Sequence, residues 1–495
     1  MNRFFILSLL IFTALTGNAR EHQIDSSYLS KLVNDVKKSA KLESGTAIAV
    51  VQNNTILYQG YFGYQDIGNK VKVSADTQFY IASVTKPFTA LNALLDAEHG
   101  KIDIDTNLGE MFPNLSLPDR TSATIKDLLI HTASINNLPL VMATAYSGQH
   151  SSDSLQALVN QTSEASSEAL GEFKYTNVGY NIYSVYSDSF FNQSWQDKLQ
   201  QQIFIPAQMT STSARFSTLE EVSKVAKPYS LMSKNRTSAL YLEKTDQTMH
   251  AAGGMYSTAT DLGKFLIAQL NNGKVGEKQA FPAKVIARSH QQQANTEKTF
   301  IDFKRDGYAW GWYTGEYKGE RMLHHFGGFA GAHAHLSFIP NKNIGLVVVN
   351  NEDFLSSRLT SIVADYIYGA LLEESGIEEK VELRAQELKN RLSGLDGMLA
   401  KEQEKLAARK LQLSKDIHDY VGEYSHPLLG SIYIEFDEQS SLRAKWGLMR
   451  SNSLGMNDAD KIRVEMEPNN GTVITFNVTD KIESLSYAGI DFFKN

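Results

Sequence analysis

The chain has 495 residues, with 42% apolar and 21% charged side chains, a formal net charge of −7 and no cysteine. That length predicts two or three structural units and a sizeable core. The acidic balance leaves no electrostatic footprint for nucleic acid or an anionic membrane, and the missing cysteines exclude disulfides, thiol catalysis and thiolate metal sites.

Residues 1–19 read as a secretory signal. Arg3 begins it, an apolar run from Phe4 to Ala14 too short to span a bilayer follows, and small residues at Gly17 and Ala19 suggest cleavage after Ala19, an uncleaved anchor being the plainer alternative. The mature protein is expected to be exported to a bacterial periplasm or secreted, and no later stretch is apolar enough to span a membrane. Thr46–Val51 and Thr55–Tyr61 flank Asn53-Asn54 and predict a β-hairpin. Helical spacing follows at Phe88–Glu98, Ile125–Leu129, Ser154–Val159, Tyr180–Tyr186 and Thr260–Leu270. A second strand pair, His333–Ile339 and Gly345–Val349, turns at Pro340–Asn343, and Ser357–Leu372 predicts a closing helix. Strands near both ends with helices between predict one sheet sewn together by both ends of a domain spanning 20–375. Residues 376–415 read as a charged helical linker, interrupted at Ser393-Gly394 and Asp396-Gly397. Residues 416–495 read as a small all-β unit, from short alternating runs such as Ser431–Phe436 and Thr472–Val478.

The chemistry concentrates at Ser83-Val84-Thr85-Lys86. An apolar run leads into Ser83 and a helical pattern leaves it, so the serine sits at or just before a helix N-terminus. There its own N–H is free to bind an oxyanion, and the helix dipole favours developing negative charge. Lys86 lies one turn on, and a desolvated lysine there can act as a base toward the serine hydroxyl. The plain reading of these four residues is a serine N-cap beside an exposed lysine. Tyr175-Thr176-Asn177 lies on a polar turn before a helix. Tyr175 is a candidate proton shuttle if Lys86 lowers its pKa, and the Asn177 amide a candidate to hold Lys86 and a substrate carbonyl. His325-Phe326-Gly327-Gly328 precedes a strand, and its glycines suit close approach of backbone to a ligand, with the Gly328 N–H completing an oxyanion hole.

Taken together, these motifs resemble the serine β-lactamase and penicillin-recognising superfamily, on the side of class C β-lactamases, D-alanyl-D-alanine carboxypeptidases, D-aminopeptidases and related esterases. The S-x-x-K of Ser83 and Lys86, the Y-x-N of Tyr175 and Asn177, and the H-x-G of His325 and Gly327 follow in the family's order. Ile125–Thr132, Ala251–Leu262 and Tyr308–Trp312 resemble its framework segments, so the likeness covers roughly residues 30 to 370. The tail around Tyr420–Tyr424 and Phe492 is similar to the small β domain often appended to such hydrolases.

The resemblance implies an α+β, β-lactamase-like fold: an antiparallel sheet flanked by helices, a helical subdomain and a C-terminal all-β domain. It implies Ser83, Lys86 and Tyr175 as catalytic, Asn177, His325, Gly327 and Gly328 as substrate-binding, and no cofactor or metal. The expected function is an acyl-enzyme hydrolase of amides or esters with a small-molecule or peptide substrate, peptidoglycan-derived fragments among the candidates. A β-lactamase and a slowly deacylating sensor of peptidoglycan fragments or β-lactams are the alternatives. His325 stands where β-lactamases carry lysine, and Phe326 where a small hydroxylic residue is usual, so Phe326 is expected to narrow the site and favour an uncharged acyl group. Ala133-Ser134 replaces the usual Ser-Gly at the cleft rim. A metal site at His324, His325, His333 and His335 with Glu352 and Asp353 is weighed and set below the serine reading.

Overall fold

The computed structural model describes residues 24–219 and 221–495, so the expected signal segment lies outside the described residues. Its centre is an antiparallel sheet of eight strands: β1 (Thr46–Gln52), β2 (Thr55–Phe62), β3 (Ala294–Phe300), β4 (Phe303–Tyr308), β5 (Tyr313–Tyr317), β6 (Glu320–Phe329), β7 (Ala332–Ile339) and β8 (Ile344–Asn350), in the order β3-β4-β5-β6-β7-β8-β1-β2. The predicted hairpins are both present. Asn53 and Asn54 take positive φ of 50° and 64°, the backbone a tight two-residue β-hairpin turn needs and asparagine tolerates. The two ends of the domain meet in mid-sheet, where β1 pairs with β8 from Thr46↔Asn350 to Gln52↔Ile344. Strands β3 to β6 escaped the sequence reading. Their residues carry many polar groups, and only tertiary pairing makes them strands.

Both faces of the sheet are covered, and the strand alternation divides the core in two. Ala47, Ala49 and Val51 face one cluster, while Ile48 and Val50 face the other. On the first face lie α2 (Lys86–Glu98) and α4 (Ala259–Leu270). The Phe88 ring stacks on Phe265 at 3.9 Å between them. Helix α2 is apolar almost all round because it is buried almost all round, between the sheet and a helical subdomain that includes α3 (Val178–Phe191). On the second face lie α1 (Ser26–Ala40) and α5 (Ser356–Leu371).

The charged stretch after residue 376 forms two helices, α6 (Ile377–Ser393) and α7 (Leu395–Ala407), broken at Gly394. Ile377, Val381, Ala385 and Leu388 pack into the same cluster as Leu29, Leu32 and Ile362, so α6 is a packed outer layer of the domain rather than a tether. The remainder is a nine-stranded antiparallel sheet from Gly422 to Lys494, with inward residues such as Tyr424, Ile432, Trp446, Ile474 and Phe492 buried. Its edges approach each other where the Glu465 N–H donates to Ser451 Oγ at 2.7 Å, giving a nearly closed barrel. This unit touches the rest of the protein through the Leu448 N–H, which donates to the Ser147 carbonyl at 3.1 Å, and through Tyr241, whose hydroxyl donates to the Met466 carbonyl.

Candidate active site

Ser83 lies in a 3₁₀ turn, Ala82–Thr85, that runs directly into α2. The approach is pinned by Phe79 and Tyr80, which pair with Ser257 and Tyr256, and by the Tyr80 hydroxyl, which donates to the Gly253 carbonyl. Ala82 then takes a φ of +45°, a left-handed conformation costly for a residue with a Cβ. The reversal packs the neighbouring residues and leaves Ser83 half-buried, with its hydroxyl at the surface of the cleft. Pro87 occupies the first turn of α2, as expected.

Lys86 is 0% exposed. Its Nζ donates to Asn177 Oδ1 and to the Ala252 carbonyl, both at 2.8 Å, and lies 3.3 Å from Ser83 Oγ. No carboxylate pairs with it in the described residues, and burial pushes its pKa well below that of an ordinary lysine. The amine is therefore neutral over a range where a surface lysine is charged, and its lone pair is available to the Ser83 proton. Asn177 stands at the N-cap of α3 yet makes no capping bond, because its side chain is committed to Lys86. Thr176 Oγ1 accepts from the Val178 N–H instead, at 3.1 Å.

Tyr175 completes the group. The Ser83 hydroxyl lies close enough to its phenol to lower the phenol pKa, and Lys86 Nζ sits 4.7 Å from its ring centroid. Burial raises that pKa more, so the net direction is well upward. The condition set in the sequence reading, that Lys86 lowers the Tyr175 pKa, is not met, since burial sets the net direction upward. Burial thus favours the protonated phenol at Tyr175 and the neutral amine at Lys86.

His325 reaches the same side of the sheet but is only 1% exposed. Its Nδ1 lies 2.8 Å from the Phe326 carbonyl, which can only accept, so Nδ1 carries the proton and Nε2 is the acceptor. Tyr308 links it to His131: the Tyr308 hydroxyl is 3.5 Å from His325 Nε2 and 3.1 Å from His131 Nε2. His131 Nδ1 accepts from the Thr176 N–H at 3.3 Å, so its Nε2 is the donor to Tyr308. Burial lowers both histidine pKa values well below the usual range, and the nearby Lys86 adds to the shift. A neutral, enclosed His325 does not reproduce a lysine at this position: it lies on the cleft side of the sheet, packed behind Tyr175 against Tyr308 and Tyr313.

Phe326 corrects a second expectation. Alternation along β6 turns it to the opposite face of the sheet, 8% exposed, against His335 at 4.3 Å, Phe300 at 4.6 Å and Phe303 at 5.1 Å between ring centroids. It does not narrow the cleft. Gly327, in contrast, lies against the nucleophile loop, where a Cβ would stand 2.1 Å from the Ile81 carbonyl and 3.0 Å from the Ser83 nitrogen. Gly328 is exposed. Phe329 and Ala332 close a two-residue turn to β7, and the ladder alternates between bonded and non-bonded pairs, so the Gly328↔His333 pair is a non-bonded one. Its N–H points away from β7 along the stretch of β6 that has no β5 partner, because β5 pairing ends at Tyr313↔His324.

The six-residue metal constellation is not assembled. His324 and His335 face the back of the sheet around Phe326, while His325 faces the cleft. Among the described residues no group of three or more His, Asp or Glu is placed to hold a metal ion.

The sequence reading missed three neighbours. The Ala252 carbonyl holds Lys86, and only the glycine-rich run around it gave a hint. Arg305 on β4 lies 3.7 Å over the Tyr313 ring, with its Nε buried and without a hydrogen-bond partner. Lys244 is 3% exposed and donates to the Ala145 carbonyl at 2.6 Å, its Nζ lying 3.5 Å from the Phe329 ring centroid. Burial brings its pKa down to about 7, although Glu467 of the β barrel pulls the other way.

The beta-lactamase family profile matches residues 36–362. Protein flp of Staphylococcus aureus (strain N315) is 24% identical over 313 residues, which are 62% of this chain and 59% of that protein. Penicillin-binding protein 4* of Bacillus subtilis (strain 168) is 26% identical over 326 residues, 63% of this chain and 68% of the relative. The aligned region thus covers well under two thirds of the staphylococcal protein. Among solved structures, the octameric penicillin-binding protein homologue from Pyrococcus abyssi superposes with a TM-score of 0.62 at 18% identity, covering 95% of this chain and 100% of its own. The D-amino acid amidase from Ochrobactrum anthropi SV3 superposes at 0.58 and 19% identity, covering 70% and 98%. Coverage of 95% means that the first of these takes in most of the C-terminal barrel. With two thirds of its length under the family profile and the three motifs brought to one cleft in family order, the chain belongs to the beta-lactamase family.

Proposed function

We propose that this chain is an exported serine hydrolase that forms an acyl-enzyme on Ser83 and acts on amide bonds, with D-amino-acid peptides or amides as substrates. The observation that carries the reading is Lys86: fully buried, without a carboxylate partner, depressed in pKa and 3.3 Å from the Ser83 hydroxyl. As Ser83 Oγ bonds to the substrate carbonyl carbon, its proton passes to the Lys86 amine, and the carbonyl electrons move onto oxygen. The N–H groups of Ser83 and Gly328 receive that oxyanion. When the intermediate collapses, the carbon–nitrogen bond breaks and the leaving nitrogen takes a proton from the Tyr175 phenol, which the Lys86 ammonium replaces. Water then attacks the Ser83 ester, and the same groups run in reverse to release the acid.

A protonated Tyr175 beside Ser83 favours amides, because an amine leaves only with a proton whereas many alkoxides leave without one. The fold shared with a D-amino acid amidase supports the D-configured substrate class. Intact mass after incubation with benzylpenicillin tests the nucleophile. An adduct of the drug's mass on the peptide containing Ser83, absent in Ser83→Ala with an unchanged melting temperature, is the expected result. Hydrolysis of a D-alanine anilide by the same preparation completes it. No adduct and no hydrolysis, or full activity in Ser83→Ala, overturns the proposal. Rapid consumption of the penicillin would show a β-lactamase instead, and one stoichiometric burst a sensor. Recovery of the protein only from the cytoplasm of its own cells would refute export.

A further inference from the structure

The largest of the described cavities, ≈ 810 Å³, lies away from Ser83, between helix Ser152–Asn160, the C-terminal half of α3 and the segment around 246–250. Its size is within the range of about 300–1,000 Å³ usual for small-molecule sites. The side-chain carboxamides of Gln156, Asn192, Gln196 and Gln247 line it, and none of the four makes a hydrogen bond within the described residues. Trp195 also lines it. The residue is 7% exposed, and its indole N–H, which is not among the buried unpartnered atoms, stays accessible to solvent. Asp188, at the same wall, accepts the Trp195 backbone N–H at 2.6 Å, and burial brings its pKa up to about 7. Its carboxyl group is therefore both donor and acceptor near neutral pH.

We propose that this cavity is a binding site for a neutral saccharide. Four carboxamides free of protein partners and open to the cavity, an indole N–H and flanking serine hydroxyls offer closely spaced donors and acceptors of both kinds. A run of vicinal hydroxyls matches such a wall, and an aliphatic chain does not. The charge at the cavity argues against an anionic ligand. Asp153, Asp188 and Asp246 face it, and the only arginine, Arg215, is already engaged with Asp197 at 3.0 Å. The inner wall at His250 is two residues from Ala252, whose carbonyl holds Lys86, so the saccharide site and the serine site are neighbours with separate linings. The proposal does not rest on the chemistry of Ser83.

The test is isothermal titration of the full chain, in its Ser83→Ala form, with chitotriose and with maltotriose as probes. Binding of at least one of them is expected, weakened about tenfold or more by the combined change Gln196→Ala and Gln247→Ala, since each loses hydrogen bonds to the ligand. Both positions are at least partly exposed, and an unchanged melting temperature verifies the fold of the variant. Wild-type protein acylated by penicillin should bind the saccharide as before. No heat with either sugar, binding indifferent to the double substitution, or binding abolished by acylation overturns the proposal. Binding of trilysine in place of the sugars would assign the cavity to a cationic peptide and likewise refute it.

Discussion

Replacing Phe326 with alanine separates the two readings of the third motif. If the ring sat over the cleft, its removal would open the site, change the KM for bulky acyl groups and leave stability nearly untouched. The structure instead buries it on the far face of β6, 8% exposed, in contact with Phe300, Phe303, His333 and His335. Truncating a phenylalanine in such a position costs about 3–5 kcal/mol, the lost transfer free energy plus the cavity left behind. For a domain of this size that corresponds to a fall in melting temperature of very roughly 5–15 °C. The milder Phe326→Leu, which keeps most of the volume, should lose well under half of that. Scanning calorimetry with a parallel assay of acylation by penicillin reads both quantities. The expected pair is a large loss of stability and, at a temperature where the variant is folded, an acylation rate within about threefold of the parent. A stable Phe326→Ala protein with a strongly altered acylation rate would refute the placement of this side chain.

Asn177→Asp puts a carboxylate 2.8 Å from Lys86 Nζ. An opposite charge at that distance favours the ammonium, so the acid limb of the acylation profile should move to higher pH, by about 1–3 units, and an unmoved limb would contradict Lys86 as the base. Lys244 makes a second titration claim, on stability. Its folded pKa of about 7 lies below the ordinary lysine value, so between pH 7 and about 10 the unfolded chain holds a proton that the folded one has released, and stability gains with rising pH. Lys244→Met should remove one proton's share of that slope, about 1.36 kcal/mol per pH unit. Denaturant unfolding at pH 7, 8 and 9 measures it, and an identical slope in the variant would refute the burial of a titrating amine there.

The serine and lysine of the first motif, the tyrosine–asparagine pair and the glycines of the third motif were legible because each is fixed by local spacing. Ser83 and Lys86 share one helical turn, and that relation survives in any tertiary context. The hairpin at Asn53-Asn54 and helix α2 were legible for the same reason, since turn chemistry and hydrophobic period are local properties. Protonation states were not. Whether Lys86 or Tyr175 is the neutral base depends on how many waters each loses and which dipoles replace them, and the Ala252 carbonyl arrives from 166 residues away. The face to which Phe326 turns was equally hidden. The sequence shows that His325, Phe326 and Gly327 are consecutive, but which of two faces meets Ser83 is a matter of strand register. Strands β3 to β6 were missed because their polar residues form strands only when β7 supplies an edge. The sequence by itself thus determined the family and the candidate reacting groups, through spacings of a few residues. Tertiary structure alone decided which group carries the proton and which side chains line the cleft, because burial and sheet pairing are set by contacts between residues far apart in the chain.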